Sequence, residues 1–170
     1  LVATRYPASL GSVDGFAWPV TAEEAARVVD DFVAARLVSF GPFEDAMAVG
    51  EPELFHSLLS APLNLGLLDP LDLCRRAEAA YRAGTVPLAS AEGFIRQVLG
   101  WREFVRHVYE EHRAHYATAN ALDADLPLPA WYWGTPSGLR CLDTTVADVL
   151  ARGYSHHITR LMVLSNIATL

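Results

Sequence analysis

Two adjacent histidines near the end of the chain are the residues whose type favours acid–base chemistry. His156 and His157 follow Ser155, where the pattern predicts the start of a last helix. Neighbouring side chains on a helix point about 100° apart, so only one of the two can face a given pocket. Histidine titrates close to neutral pH and is a natural proton donor there. The alternative is a pair of interior or rim histidines without a chemical role.

A second segment, residues 56–70, predicts an anion site. It carries Ser57 and Ser60 at the start of a short predicted helix that precedes Pro70. Hydroxyls and unpaired amides at a helix start attract anions because the amides and the helix dipole point the same way. The alternative is an ordinary capped helix, since serine is common at that position.

Arginines recur on one flank of the longest predicted helix. Arg102, Arg106 and Arg113, together with Tyr109, are spaced four, three and four residues apart. Such spacing places side chains on one flank of a helix, and a guanidinium can bond two phosphate oxygens at once. The alternative is a solvated face, because glutamates interleaved with the arginines would neutralise much of the charge.

Aromatic residues and one cysteine occupy a loop rich in proline and glycine. Trp131, Tyr132 and Trp133 are consecutive, and Cys141 follows eight residues later. Clustered aromatics can stack on bases or relay electrons, or they can fill a core. One cysteine is not a metal site, since structural clusters need about four ligands. Taken alone, Cys141 is predicted to be a buried thiol.

Local signals predict the helices that must position these residues. Thr21 with Glu24 forms a capping-box pattern, followed by an apolar stripe. Asp69, followed by a proline, predicts a helix that runs to about Gly84, a favourable stop residue.

The remaining helices follow from similar signals. Ser90 is predicted to cap the longest helix, whose apolar stripe includes Trp101, so that this tryptophan is expected in the core. Asp143 is predicted to cap a short helix that ends near Gly153. Since strand alternation is absent, the fold class predicted is all-α, with about five helices.

Composition sets broader bounds. The chain of 170 residues carries 13 basic and 20 acidic residues, a net charge of -7, and predicts a single domain over residues 1–170. This balance disfavours nucleic-acid binding through overall charge. Two cysteines make no disulfide framework, and apolar runs are too short for a membrane span, so we expect a cytoplasmic protein. A start at Leu1 and a stop inside an amphipathic run predict a piece of a longer protein, incomplete at both ends.

Read in order, these segments resemble the flavin-binding helical domain of the photolyase/cryptochrome superfamily. Within it they are most similar to the bacterial iron–sulfur branch of cryptochromes and (6-4) photolyases. The resemblance rests on residues 41–47, 56–70, 93–104, 131–141 and 156–162. It implies an all-helical FAD-binding domain, without the superfamily's α/β antenna domain and with no antenna chromophore assigned.

The resemblance implies a role for each matching position. FAD would contact the diphosphate turn, the long helix and the last helix, at His56, Ser57, Leu58, Leu59, Ser60, Phe94, Gln97, Arg102, His157 and Arg160. The lesion pocket would hold His156 and His157 as catalytic residues, with Trp101 and Arg106 toward the lesion and the DNA. Trp133 would be the surface-side member of an electron relay, and Cys141 the first of four ligands to a 4Fe-4S cluster in the full-length protein.

The function so implied is light-driven repair of ultraviolet-damaged DNA, with the (6-4) photoproduct as the expected lesion. An electron would pass from reduced FAD to a flipped lesion and return after bond rearrangement. The alternatives are a blue-light photoreceptor of the same branch and a helical interaction module without cofactor. The protein is expected to be a bacterial cytoplasmic monomer that does not bind membranes.

Overall fold

The computed structural model describes residues 1–169, and these residues form helices and loops without a strand. The α-helices are α1 (Val2–Arg5), α2 (Ala22–Asp31), α3 (Leu37–Phe43), α4 (Ser60–Asn64), α5 (Pro70–Arg82), α6 (Leu88–Ile95), α7 (Trp101–His112), α8 (Arg140–Arg152) and α9 (Asn166–Thr169). Three π-helical turns cover Phe32–Arg36, Arg96–Gly100 and Thr159–Ser165, and two 3₁₀ turns cover Tyr116–Thr118 and Ala130–Trp133. The all-α prediction is confirmed. Among the described helices, none combines the length and the apolar character that a membrane crossing requires.

Two compact units make up the described chain. The central unit contains Trp18–Glu44 and Phe55–Asp125. The terminal unit contains Leu1–Ala17, Asp45–Leu54 and the described residues from Leu126 onward. The expectation of a single domain stays a prediction.

The predicted caps of α2 and α5 are confirmed. The Thr21 hydroxyl accepts from the Glu24 amide at 3.2 Å, and the Glu24 carboxylate accepts from the Thr21 amide at 3.2 Å. The Asp69 carboxylate accepts from the amide of Leu71 at 2.8 Å, which satisfies one of the unpaired donors at the start of α5. Past the end of that helix, Gly84 adopts the left-handed conformation with φ of 74°.

Ser90 does not cap the long helix, contrary to prediction. It lies inside α6, which begins two residues earlier behind Pro87, and it is fully buried. Its hydroxyl donates to the Val38 carbonyl at 3.1 Å and accepts from the Gly41 amide at 2.9 Å. This serine therefore joins α6 to α3 through two backbone groups of α3.

Three phenylalanines form the centre of the central unit's core. The ring of Phe94 lies 4.9 Å from that of Phe32 and 5.8 Å from that of Phe40, measured between centroids. All three side chains are buried. Tilted and edge-on contacts at these distances are favourable for aromatic rings, so this cluster fixes α3 and α6 against one another.

The prediction that Trp101 belongs to the core is wrong. Phe94 and Val98 on the same predicted stripe are buried, but Trp101 is 58% exposed and Val105 is 60% exposed. Val98 lies in the middle of the π turn Arg96–Gly100, and both exposed residues follow that turn. A π turn contains one residue more than an α-helical turn, so it rotates all later side chains around the helix axis and the apolar stripe leaves the core.

In the terminal unit, α8 begins at Arg140, before the cap that the sequence predicts. Asp143 lies within its first turn and accepts from the Ser137 amide at 2.9 Å and from the Ser137 hydroxyl at 2.6 Å. These bonds lower the pKa of Asp143 and attach the preceding loop to the helix. The predicted end at Gly153 is confirmed, with φ of 64°. Buried Leu142 and Val146 pack with Val163 of the last π turn.

Candidate functional site

The turn at residues 56–60, where the sequence predicts an anion site, lies in the central unit. His56 and Leu59 are buried, Ser57 and Leu58 are half-buried, and Ser60 is exposed as the first residue of α4. Leu58 has φ of 62°, a left-handed conformation that a leucine seldom adopts. The amide of Leu59 donates to the Ser57 hydroxyl at 3.4 Å.

One arginine of the long helix reaches this turn's helix. Arg102 on α7 donates from Nη2 to the amide oxygen of Asn64, the last residue of α4, at 2.9 Å. Because the partner is a neutral amide, the bond leaves the arginine's positive charge uncompensated. The structure therefore brings together two elements that the sequence assigned to phosphate recognition.

The other predicted positions on the long helix have different surroundings. Phe94 belongs to the core cluster, whereas Gln97 is half-buried in the π turn. The guanidinium of Arg106 donates to Glu103 at 2.8 Å and to Glu110 at 3.0 Å. The bond from Arg106 lowers the pKa of Glu103. At Arg106 the helix flank is therefore compensated by its own glutamates.

The two histidines of the terminal unit have distinct surroundings, with His156 in the loop just before the helical residues that begin at His157. His156 is buried, and burial lowers its pKa, with smaller contributions from the charges of His157 and Arg160. The Nε2 atom of His157 lies 3.1 Å from a carboxylate oxygen of Asp45. The imidazole of His156 is therefore held in its neutral form, while Asp45 orients the ring of His157.

A cavity of about 490 Å³ lies within the terminal unit. Its lining includes Met47, Cys141, Asp148, Tyr154, His156 and Val163. The walls are mostly apolar, with an imidazole, a phenol and a carboxylate among them, which is typical of small-molecule sites.

Cys141 is exposed in the first turn of α8, so the prediction of a buried thiol is wrong. The first turn of a helix leaves side chains accessible where no neighbouring element covers them, and here the thiol borders the cavity. Cys74, on α5 of the central unit, packs against the core instead, and burial raises its pKa.

The aromatic triplet occupies a 3₁₀ turn in the terminal unit. Trp133 is 57% exposed, and Trp131 lies at the surface as well. Tyr132, between them, points inward, and its hydroxyl donates to the Leu164 carbonyl at 2.6 Å. The turn ends at Gly134, where φ is 93° and a side chain would contact Leu150 at 3.2 Å. The inward tyrosine thus fixes the outward tryptophans.

Sequence reasoning did not identify three residues that contact these positions. Asp45 lies 112 positions from His157, Asn64 lies 38 positions from Arg102, and Arg36 donates to the carbonyl of His56 from 20 positions away. No local pattern links such pairs. Of the three, only Asp45 could have been singled out from the sequence, because it belongs to the segment 41–47 that supports the resemblance.

The hydrogen-bond donors of the turn and the cysteine of α8 can be compared with the two cofactors that the resemblance implies, FAD and a 4Fe-4S cluster. The first-turn amides of α4, the hydroxyls of Ser57 and Ser60, and the cationic Arg102 fit the diphosphate of FAD, because they offer donors and one positive charge. A 4Fe-4S cluster needs about four ligands, and the chain has two cysteines. Cys141 fits as one accessible ligand, and the chain shown supplies no complete cluster site.

Comparison with known proteins decides the family. The chain is 40% identical over 169 residues, 99% of its length, to a (6-4) photolyase of Agrobacterium fabrum. The chain belongs to the photolyase/cryptochrome superfamily. The predicted family and its helical domain are thereby confirmed. The chain spans 33% of that relative's length.

A second similarity covers less of the superfamily chain. Over 114 residues, 66% of its length, the chain is 31% identical to an uncharacterized protein of Acanthamoeba polyphaga mimivirus. The matched region covers 87% of that viral protein. No family model matches.

Proposed function

We propose that this protein is a light-driven, FAD-dependent DNA photolyase whose substrate is the (6-4) photoproduct. The observation that carries the proposal is the pair His156 and His157, one lining a cavity and the other oriented by Asp45, in a chain 40% identical to a (6-4) photolyase. Two imidazoles in unlike surroundings suit a reaction in which one group donates a proton and the other binds the lesion.

FAD binding is assigned first to the central unit. Ser57, Ser60 and the amides at the start of α4 would accept the diphosphate, and Arg102 would balance its charge. Gln97 would contact the flavin, with Phe94 supporting this helix from the core side. When bound and reduced, FAD supplies the photoexcited electron for lesion repair.

The terminal unit would hold and protonate the lesion. An extruded base fits a cavity of this kind, and extrusion is required because the reacting atoms are inaccessible within a duplex. His157, whose ring Asp45 orients, would donate the proton to the oxygen that migrates between the bases. His156, neutral at pH 7, would bind the lesion through its imidazole, and Arg160 is assigned to FAD on the resemblance.

Three further roles complete the proposal. The exposed ring of Trp101 would stack on a base of the damaged DNA, with Arg106 contributing to DNA contact. Exposed Trp133 would receive electrons at the surface. Cys141 would ligate a 4Fe-4S cluster completed by other cysteines of the intact protein.

The test uses the intact protein and a duplex that carries one (6-4) photoproduct. We expect flavin absorption bands and loss of the lesion under blue light, measured by chromatography of the digested DNA. His156→Ala and His157→Ala should each slow repair about 100-fold, the usual contribution of a positioned acid or base. His107→Ala, at an exposed histidine of α7, is the matched control and should repair normally.

Each contrary outcome selects another function. Normal repair by both histidine variants would remove their assigned role. Flavin photoreduction without lesion turnover would identify a blue-light photoreceptor. A colourless intact protein would leave the interaction module as the remaining function.

A further inference from the structure

Arg36 is an arginine that none of the assigned roles uses. It ends the π turn Phe32–Arg36, and its side chain is only 17% exposed. Its Nη1 donates to the carbonyl of His56 at 2.9 Å, and its Nη2 forms an ion pair with Asp31 at 3.0 Å. The guanidinium also lies 5.7 Å from the ring centroid of Phe32. Three contacts in different directions hold this side chain in one position.

The segment that Arg36 contacts has an unusual backbone. His56 is followed by Leu58 with φ of 62°, and Leu54 precedes it with φ of 44°. A left-handed conformation costs a residue with a Cβ atom about 1–2 kcal/mol, so surrounding contacts must maintain it. The bond within the turn, from the Leu59 amide to the Ser57 hydroxyl, is long at 3.4 Å and therefore weak. The shorter, charge-assisted bond comes from Arg36.

One atom of Arg36 lowers stability, although the three contacts above raise it. Its Nε is buried, and no acceptor among the described residues reaches it. A buried donor without a partner lowers stability, and an apolar side chain would avoid that loss. What an apolar side chain would not supply is the donor to the His56 carbonyl.

We infer that Arg36 is a positioning residue for the diphosphate turn: it fixes the His56 carbonyl and so holds the following amides and hydroxyls, from Ser57 to Ser60, toward the phosphates. This inference rests on the proposed function, because the turn is assigned to FAD there. Arg36 touches neither cofactor nor substrate in this role. It acts through the peptide unit that joins His56 to Ser57, whose orientation determines where the next donors point.

The experiment compares two flavins on the intact protein depleted of its cofactor. Riboflavin lacks the diphosphate, so a residue that acts through the turn changes FAD affinity and leaves riboflavin affinity unchanged. For Arg36→Ala we expect the dissociation constant of FAD, from fluorescence quenching, to rise about tenfold, since one charge-assisted hydrogen bond is lost. The constant for riboflavin should stay within about twofold.

Two further variants make the result interpretable. Arg36→Lys keeps a cationic donor and should fall between the wild type and Arg36→Ala, and it carries the test if the alanine variant does not fold. Arg76→Ala is the matched control, because Arg76 also forms ion pairs in the central unit, with Asp30 and Asp72, away from the turn. Its FAD affinity should equal that of the wild type. Equal losses for FAD and riboflavin, or equal constants for Arg36→Ala and Arg76→Ala, would overturn the inference.

Hydrogen exchange separates this inference from the proposed function. Arg36→Ala should accelerate amide exchange in residues 57–60 while α5 stays as protected as in the wild type. If the wild-type protein binds no flavin, the proposed function fails, and exchange decides the positioning role alone. Unchanged exchange in residues 57–60 would then refute it.

Discussion

Replacing Ser90 by alanine tests how the motif residues 41–47 are joined to the long helix. The perturbation removes one buried hydroxyl that bonds both the Val38 carbonyl and the Gly41 amide. Pro42 explains why the serine is needed. A proline inside a helix has no amide to offer the carbonyl four residues earlier, and here that carbonyl belongs to Val38. Ser90 supplies the missing donor.

The expected loss follows from these contacts. The Val38 carbonyl, left without the donor that Pro42 cannot supply, costs about 1–3 kcal/mol, and the lost bond to the Gly41 amide costs about 0.5–1.5 kcal/mol. Alanine returns about 0.5 kcal/mol because it favours a helix interior more than serine does. Since both bonds are only partly buried, the lower part of the range applies, and Ser90→Ala should lower the free energy of unfolding by about 2 kcal/mol. For a chain of this size, that change lowers the Tm by about 4–8 °C.

Urea and thermal unfolding measure the change, with Thr85→Ala as the matched control. The Thr85 hydroxyl also donates to a backbone carbonyl, that of Ala80, at 2.9 Å, but it is exposed and water can replace it. We expect a loss below about 0.5 kcal/mol for the control. Equal Tm values for Ser90→Ala and Thr85→Ala would refute the argument that Ser90 satisfies a carbonyl left unpaired by Pro42.

Two other predictions concern the terminal unit. Burial lowers the pKa of His156, so the unfolded chain binds more protons than the folded chain below about pH 6.5, and the free energy of unfolding should fall between pH 7 and pH 5. His156→Gln should make the urea midpoint depend less on pH. An unchanged pH dependence would contradict the burial of a neutral His156. Tyr132→Phe should lower the free energy of unfolding by about 1 kcal/mol through loss of the bond to the Leu164 carbonyl, whereas Tyr116→Phe, at an exposed tyrosine, should leave the Tm unchanged.

Features that depend on neighbours in sequence could be predicted from the residues alone. The Thr21 cap, the Asp69 cap and the end of α8 at Gly153 each involve residues a few positions apart.

Features that depend on tertiary contacts could not be predicted this way. Ser90 resembles a cap by its position before an apolar stripe, but its partners lie about 50 positions earlier in the chain. Trp101 fits the stripe only if every turn is α-helical, and the π turn before it breaks that condition. The resemblance to a family predicts the site residues, whereas the contacts that Arg36, Asn64 and Asp45 make with them depend on the fold.

Each of the three π turns contains a residue to which the proposed function or the further inference assigns a role. Arg36 ends the first turn, Gln97 lies in the second and Arg160 in the third. A π turn is less stable than the α-helix around it, and single π turns occur frequently at functional sites. The second of them also moves Trp101 out of the core and onto the surface, where a ring can stack on a base. A stripe that stayed α-helical would bury this tryptophan with Phe94 and Val98. The departure from regular helix therefore exchanges packing in the core for an accessible aromatic surface, which suits the contact with DNA proposed for Trp101.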